Sequence, residues 1–418
     1  MSKEESKVPE LRFKGFHDDW EQRKFFTLLD SKEGIRRGPF GSALKKSFFV
    51  KDSNYVVYEQ QNAIYNHFET RYNISEEKFN ELSKFEVLPG DFIMSGAGTI
   101  GKISRVPKGI KQGVFNQALI RFRLNEASTD SKYFLHLIKS PKMQRKLTEY
   151  NPGSAMMNLV PMAEVKKWLL YTPSIEEQSY IGKFIDLVNK NITLHQRKIN
   201  MLETQKKAYT SVIFANKSNN IPNLRFENFT EAWEQRKLGD VSDVIGGGTP
   251  NTNNPAYWDG DIDWYSPAEL KKDIYLDNSQ RKITELGLKN SSAKILPRGT
   301  VLFTSRAGIG NTAILDKESA TNQGFQSIVP KDNLLDTYFI YSKSHLLKRY
   351  GEINGAGSTF IEVSGKEMSK MPLLLPTIKE QIQIGRLLKS IDNNIVLHQR
   401  KLCTLKKLKQ VYLNKLFI

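Results

Sequence analysis

Residues 8–24 read VPELRFKGFHDDWEQRK and residues 221–237 read IPNLRFENFTEAWEQRK. Arg12, Phe13, Phe16, Trp20, Glu21, Gln22 and Arg23 recur 213 positions later as Arg225, Phe226, Phe229, Trp233, Glu234, Gln235 and Arg236. Self-similarity at a fixed period marks a chain built from like units. Further landmarks follow outward from this pair. LPGDFIMSGAGTIG (88–101) matches PRGTVLFTSRAGIG (297–310), and Asn116-Gln117 returns as Asn322-Gln323. Tyr133-Phe134 returns as Tyr338-Phe339, Gly153-Ser154 as Gly357-Ser358, and LHQRK (194–198) at 397–401.

The spacing between partners shrinks from 213 to 203 along the repeat and stays at 203 from residue 173 onward. Each copy therefore has a globular part that tolerates insertion and a rod that does not. Surface loops change length cheaply, whereas register in a packed helix pair cannot slip. In the first rod Ile181, Ile185, Val188, Ile192, His195, Ile199, Leu202, Lys206, Tyr209 and Ile213 alternate four-three, as a coiled-coil seam does. Their partners are Ile384, Leu388, Ile391, Ile395, His398, Leu402, Leu405, Lys409, Tyr412 and Leu416. Polar seam residues cost stability and fix alignment, so His195, Lys206, His398 and Lys409 are read as register residues. Roughly forty residues make a rod of about 60 Å. Pairing of the two rods with each other, antiparallel, is preferred over pairing with another chain. In the globular parts, residues 91–95, 300–304 and ALIRFRL (118–124) have strand character, and 132–149 and 336–349 have helical spacing.

Composition narrows the partner. The 418 residues carry 62 Lys+Arg against 45 Asp+Glu, a net charge of +17, which favours a polyanion and above all nucleic acid. A single cysteine, Cys403, excludes a disulfide framework and a multi-cysteine metal site. The polar start MSKEESKVPE lacks the apolar run of a signal peptide, and no 18-residue apolar stretch suits a membrane span, so a cytoplasmic protein with no membrane partner is expected.

Several motifs suggest chemistry and fall short of it. GAGTIGK (96–102) fits G-x-x-x-x-G-K, but Ile103 stands where the Mg²⁺-binding hydroxyl belongs, and the repeat partner SRAGIGN (305–311) lacks the lysine. NPAY (254–257) lacks the second proline of the adenine methyltransferase loop. His17, His67, His136, His195, His345 and His398 show no ligand spacing, so no metal is expected. No carboxylate pair is framed for acid–base work, so no catalytic residue is assigned. Trp20 and Trp233, beside apolar neighbours, are read as core.

The doubled WEQRK segment, the matched rods and a glycine-rich turn followed by YW-x-G-x-I-x-W together resemble the specificity subunit of type I restriction–modification systems. The second copy supplies Gly247, Gly248, Thr249, Pro250, Tyr257, Trp258, Gly260, Ile262 and Trp264. The first offers GPFGSAL (38–44) instead, another pattern found at that place in the family. The resemblance implies an α+β protein: two tandem α/β target-recognition domains joined by two long helices in an antiparallel coiled coil, with a pseudo-twofold internal repeat. The domains are placed at 1–172 and 218–375, and the helical spacers at 173–217 and 376–418. Each domain would read one half of a bipartite, asymmetric site on double-stranded DNA. The spacers would dock two methyltransferase subunits, and restriction/translocase subunits would complete the complex. The chain itself would bind no cofactor and be no enzyme, with S-adenosylmethionine, ATP and Mg²⁺ on the partners.

DNA contacts are sought where cations flank glycine-rich turns, because glycine lets the backbone approach phosphate. Arg36, Arg37, Lys45 and Lys46 qualify in the first copy, with Ser95, Thr99 and Lys102 on its strand-end turn. Thr249, Asn251, Ser305 and Arg306 are the candidates in the second copy, with the basic pair Lys271 and Lys272 in a polar loop. Tyr58, Gln60, Gln61 and Asn62 are candidates for base reading, since amides pair bidentately with adenine. Two other readings stay open: a stand-alone DNA methyltransferase or NTPase, on the degenerate loops, and a coiled-coil structural adaptor whose charge is incidental.

Overall fold

The computed structural model describes residues 7–148, 162–216, 219–270, 273–306, 308–357 and 361–418. It separates into two compact units, one formed by the chain up to Gln196 with Arg400–Ile418, the other by Arg197–Gln399.

In the first unit the repeated segment is a clamp on the start of a long helix. Trp20 enters the core, and Glu21–Lys24 forms a strand antiparallel to Leu169–Thr172, with Gln22 opposite Tyr171. That strand leads into a 39-residue helix, Ile175–Ile213. Arg12 grips Glu177 in the helix's first turn with two bonds of 2.8 and 2.9 Å, a planar fork matched to a carboxylate. Next to it, Gln178 donates to the carbonyls of Pro173 and Ser128 and accepts from the Asp130 amide. Asp130 in turn caps the helix Ser131–Lys139. Gly182 allows the two helices this close, since a Cβ there would sit 2.7 Å from Lys132 Cβ.

The second unit repeats the device. Glu234–Lys237 pairs with Pro372–Leu375, and Arg225 grips Glu380 at 2.8 and 2.8 Å on the 38-residue helix Ile378–Lys415. Gln381 joins Pro376, Leu334 and Asp336, and a Cβ on Gly385 would lie 2.6 Å from Asp336 Oδ1.

Each unit also holds a pair of sheets. The first has an antiparallel sheet in the order Ile35–Arg37, Leu119–Phe122, Phe92–Ser95, Ile103–Arg105. Its second sheet runs Phe49–Val50, Tyr72–Ile74, Tyr55–Tyr58, Gly113–Phe115, with the last pair parallel. The second unit has five strands, ordered Ser242–Gly246, Gln326–Pro330, Val301–Phe303, Thr312–Leu315, Tyr275–Leu276, and three, ordered Arg281–Ile283, Trp258–Tyr265, Ala320–Thr321. The expected helices at 132–149 and 336–349 are each broken in two. The first breaks at Ser140, which precedes Pro141 and takes the extended backbone that a following proline imposes, and the second at Lys343.

The long helices pair with each other inside each unit. In the second unit, Lys206 Nζ meets Asp392 Oδ2 at 2.8 Å, while Ile213, further along, packs with Ile384 and Leu388. Rising numbers on one helix meet falling numbers on the other, so the pair is antiparallel. In the first unit the Phe184 and Tyr412 rings meet edge-on at 4.8 Å, and Leu413, Leu416 and Phe417 join Ile181, Ile185 and Tyr133 in the core. Each core is therefore completed by the far end of a helix, at about 1.5–3 kcal/mol per large apolar side chain buried. Along the seam Val188, Ile199, Leu202 and Ile395 are buried, and His195, His398 and Lys409 are half-buried.

Candidate nucleic-acid interface

Three segments converge on one surface in each unit. In the first, the Gly38 amide donates to Leu119 O, and a Cβ on Gly38 would fall 1.9 Å from Asn116 O, so only glycine fits against the Asn116-Gln117 turn. The strand-end turn joins from the other side, with Gly96 N donating to Ala118 O at 2.7 Å. The second unit builds the same junction. A Cβ on Gly247 would fall 2.1 Å from Asn322 O, Gly248 N donates to Thr321 O, and Ser305 N donates to Gly324 O. Both Asn-Gln turns hang from a tyrosine carbonyl, Asn116 N on Tyr58 O and Asn322 N on Tyr265 O, each at 3.0 Å.

The structure sorts the sequence-expected contacts by exposure. Arg37, Lys45, Lys46, Thr99, Lys102 and Asn251 are exposed on these segments, and Phe40 stands 88% exposed at the tip of the first glycine loop. Thr249 is half-buried and bonded to Gln323 of the Asn-Gln turn, and Arg306 is half-buried. Gln60 donates to Ala97 O, tying the helix Gln60–Tyr65 to the strand-end turn, and Gln61 is half-buried beside Glu59. Arg36 is committed to Glu33 at 2.8 Å, and the same carboxylate takes buried Arg121 at 2.7 Å.

Tyr58, Asn62, Ser95 and Ser305 are buried, and a side chain inside the core does not reach a base edge or a phosphate. Burial pushes the Tyr58 phenol up to about 12, and its hydroxyl is spent on Lys111 O. Asn62 serves the Glu59 amide and the carbonyls of His67 and Glu69, and Ser95 Oγ closes its turn by accepting from Lys102 N. Lys271 and Lys272 lie outside the described residues.

Local geometry also disposes of the enzymatic motifs. The turn 96–102 links Phe92–Ser95 to the antiparallel strand Ile103–Arg105, so no helix N-terminus follows it to hold a phosphate, as a P-loop requires. NPAY is a short 3₁₀ turn that Asn254 caps by accepting from Ala256 N.

The family model described as the type I restriction modification DNA specificity domain matches residues 40–204 and 230–407. The chain belongs to this family. It is 39% identical over 166 residues to the type I restriction enzyme MjaIX specificity subunit of Methanocaldococcus jannaschii, covering 39% of this chain and 38% of that protein. It is 24% identical over 229 residues to the EcoR124I/EcoR124II specificity subunit of Escherichia coli, 52% of each. The chain thus aligns with well under two thirds of the length of both relatives. The fold is similar to that of the crystallised type I S subunit from M. genitalium, with a TM-score of 0.60 at 13% identity over 98% of this chain and 99% of that one. Specificity subunits of such systems are non-catalytic DNA-recognition subunits.

Sequence reading passed over four features of this family member. Arg121 lies on the strand Leu119–Phe122 and Arg123 just beyond its end, in the stretch read only as strand-like. Arg121 is fully buried, and burial lowers its pKa against the opposing pull of Glu33. Arg123 makes a fork onto Asp91 at 2.8 and 2.8 Å. Arg71 forks onto Glu59 at 3.0 and 3.0 Å, and the Arg281 guanidinium lies 3.5 Å from the Trp258 ring centre. Partners twelve or more residues apart leave no periodic signal. Among the described residues no three His, Cys, Asp or Glu side chains cluster to hold a metal, and no helix is long and apolar enough to cross a membrane.

Proposed function

We propose that this chain reads one asymmetric, bipartite DNA site, each unit contacting one half through its glycine loop, Asn-Gln turn and strand-end turn. The observation that carries this is the contrast within the repeat. The helix clamp is retained bond for bond, Arg12–Glu177 as Arg225–Glu380, while the converging loops differ, GPFGSAL in one and GGGTPN in the other. A shared frame with different edges suits two different half-sites. Phosphate contacts from Arg37, Lys45, Lys46 and Lys102 would position the duplex, with Thr99, Thr249, Asn251 and Arg306 beside it. Joining two short recognitions in one chain makes the second contact intramolecular.

The long helices would dock two methyltransferase subunits, to which restriction/translocase subunits are added. Leu187, Leu194 and Met201 support this reading, standing 57%, 51% and 52% exposed at seven-residue intervals on the first helix. S-adenosylmethionine, ATP and Mg²⁺ would then be held by those partners.

Replacing residues 25–172 with the globular part of a relative and sequencing the methylated bases in cells carrying the complete system tests this. The expected result is a new sequence in one half of the site with the other half unchanged. In vitro, log affinity should fall linearly with log salt. Binding without preference for any duplex sequence, methyltransferase subunits present, would overturn it, and an unchanged methylation sequence would point to the adaptor.

A further inference from the structure

We propose that Arg71 reads a guanine in the half-site of the first unit, and that Gln280, at the equivalent place in the second, reads an adenine. This rests on the DNA-reading function above and names two of its specificity-determining side chains.

The equivalence follows from strand register. Val57 lies opposite Tyr72 and Trp264 opposite Arg281, and the next residues, Tyr58 and Tyr265, each carry an Asn-Gln turn on their carbonyl. Tyr72 therefore corresponds to Arg281, and the preceding residues, Arg71 and Gln280, occupy one position. Both are exposed. Both also lie against the helix-capping box that follows the tyrosine. In the first unit Glu59 N donates to Asn62 Oδ1, and Arg71 forks onto the Glu59 carboxylate. In the second, Ser266 N donates to Glu269 Oε1, and Gln280 N donates to Glu269 Oε2 at 2.7 Å.

Arg71 is held ready for a base. Its Nε and Nη2 each lie 3.0 Å from a Glu59 oxygen, and its guanidinium sits 5.2 Å from the Tyr72 ring centre. Glu59 is itself fixed, with 14% of its side chain exposed against 62% for Arg71. So exposed an ion pair contributes little to stability. Its effect is orientation: the carboxylate takes the Nε–Nη2 edge and leaves the Nη1–Nη2 edge for a second planar acceptor pair. In the major groove that pair is N7 and O6 of guanine. Rotamer freedom already spent in the free protein is not charged again on binding. Glu59 and Tyr72 also line a cavity of about 210 Å³ with Gly41, Lys46, Asn116 and Gln117, which places Arg71 beside the glycine loop and Asn-Gln turn. At the matching position the Gln280 carboxamide offers the donor–acceptor pair that fits adenine N6 and N7.

The test selects duplexes from a randomised library with the full chain co-purified with its methyltransferase subunits, comparing wild type, Arg71→Lys, Arg71→Ala and Gln280→Arg. Arg71→Lys keeps the charge and loses the fork. Preference for one guanine should fall about tenfold to hundredfold in both Arg71 variants, with the other half-site untouched. Gln280→Arg should exchange one adenine for guanine in that other half. If the variants select the wild-type sequence, or lose affinity evenly with every preferred base retained, the assignment is overturned while the DNA-reading function stands. A wild type that selects no sequence overturns both.

Discussion

Lys343 should destabilise the second unit in a pH-dependent way, and Lys343→Ile should remove the effect. The side chain is fully enclosed among Phe214, Trp233 and Phe339, with Nζ 5.1, 5.2 and 4.7 Å from their ring centres and 2.9 Å from Leu374 O. Burial pushes the ammonium from 10.5 down to about 7. At about 1.4 kcal/mol per pH unit, keeping it charged costs on the order of 5 kcal/mol. Attraction to the rings offsets about 0.5–2 kcal/mol of that. Above pH 7 the folded chain has released this proton while the unfolded chain holds it up to 10.5, so stability rises with pH through that window. The first repeat provides the control, because Ile138 stands at the matching position among Trp20, Phe134 and Phe417. Urea unfolding of the full chain, followed by tryptophan emission at pH 7 and pH 10, should show Lys343→Ile more stable than wild type at pH 7 by about 2–4 kcal/mol. The gap should close towards pH 10. A variant less stable at pH 7, or one with the wild-type pH slope, would refute the reasoning.

Arg225→Ala should cost about 3–5 kcal/mol in thermal unfolding, because it leaves the fully buried Glu380 carboxylate without its fork; a loss below about 1 kcal/mol would mean the clamp does not hold the helix. Gly385→Ala should cost about 1–3 kcal/mol by overpacking, its Cβ falling 2.6 Å from Asp336 Oδ1 and 3.3 Å from Tyr338 Cβ, and hydrogen exchange in Thr337–Ser342 should rise with it.

The enzymatic motifs show why a spacing match is weak by itself. GAGTIGK has the letters of a phosphate loop, and its two left-handed glycines, Gly98 and Gly101, serve a hairpin turn instead. The same letters fold differently because the following Ile103 begins an antiparallel strand. Tyr58 and Asn62 are residue types that read bases, yet they sit on a strand and helix whose inner faces the sequence did not distinguish. Arg71, six residues beyond Tyr65, carries no periodic signal because its carboxylate partner is twelve residues earlier.

Residue order alone shows the duplication, the two register-locked helices and the apolar seam along each. Those properties are periodic, and period survives in one dimension. The segment at residues 8–24 could be recognised as a repeat but not understood as a clamp, since its meaning lies in Arg12 reaching Glu177 across 165 residues and in Glu21–Lys24 pairing with Leu169–Thr172. Tertiary structure alone decided that the helices pair with each other, that each core is closed by a distant helix end, and which of the polar loop residues face outward. These are contacts between segments far apart in the chain, fixed by burial and hydrogen-bond satisfaction rather than by any local pattern.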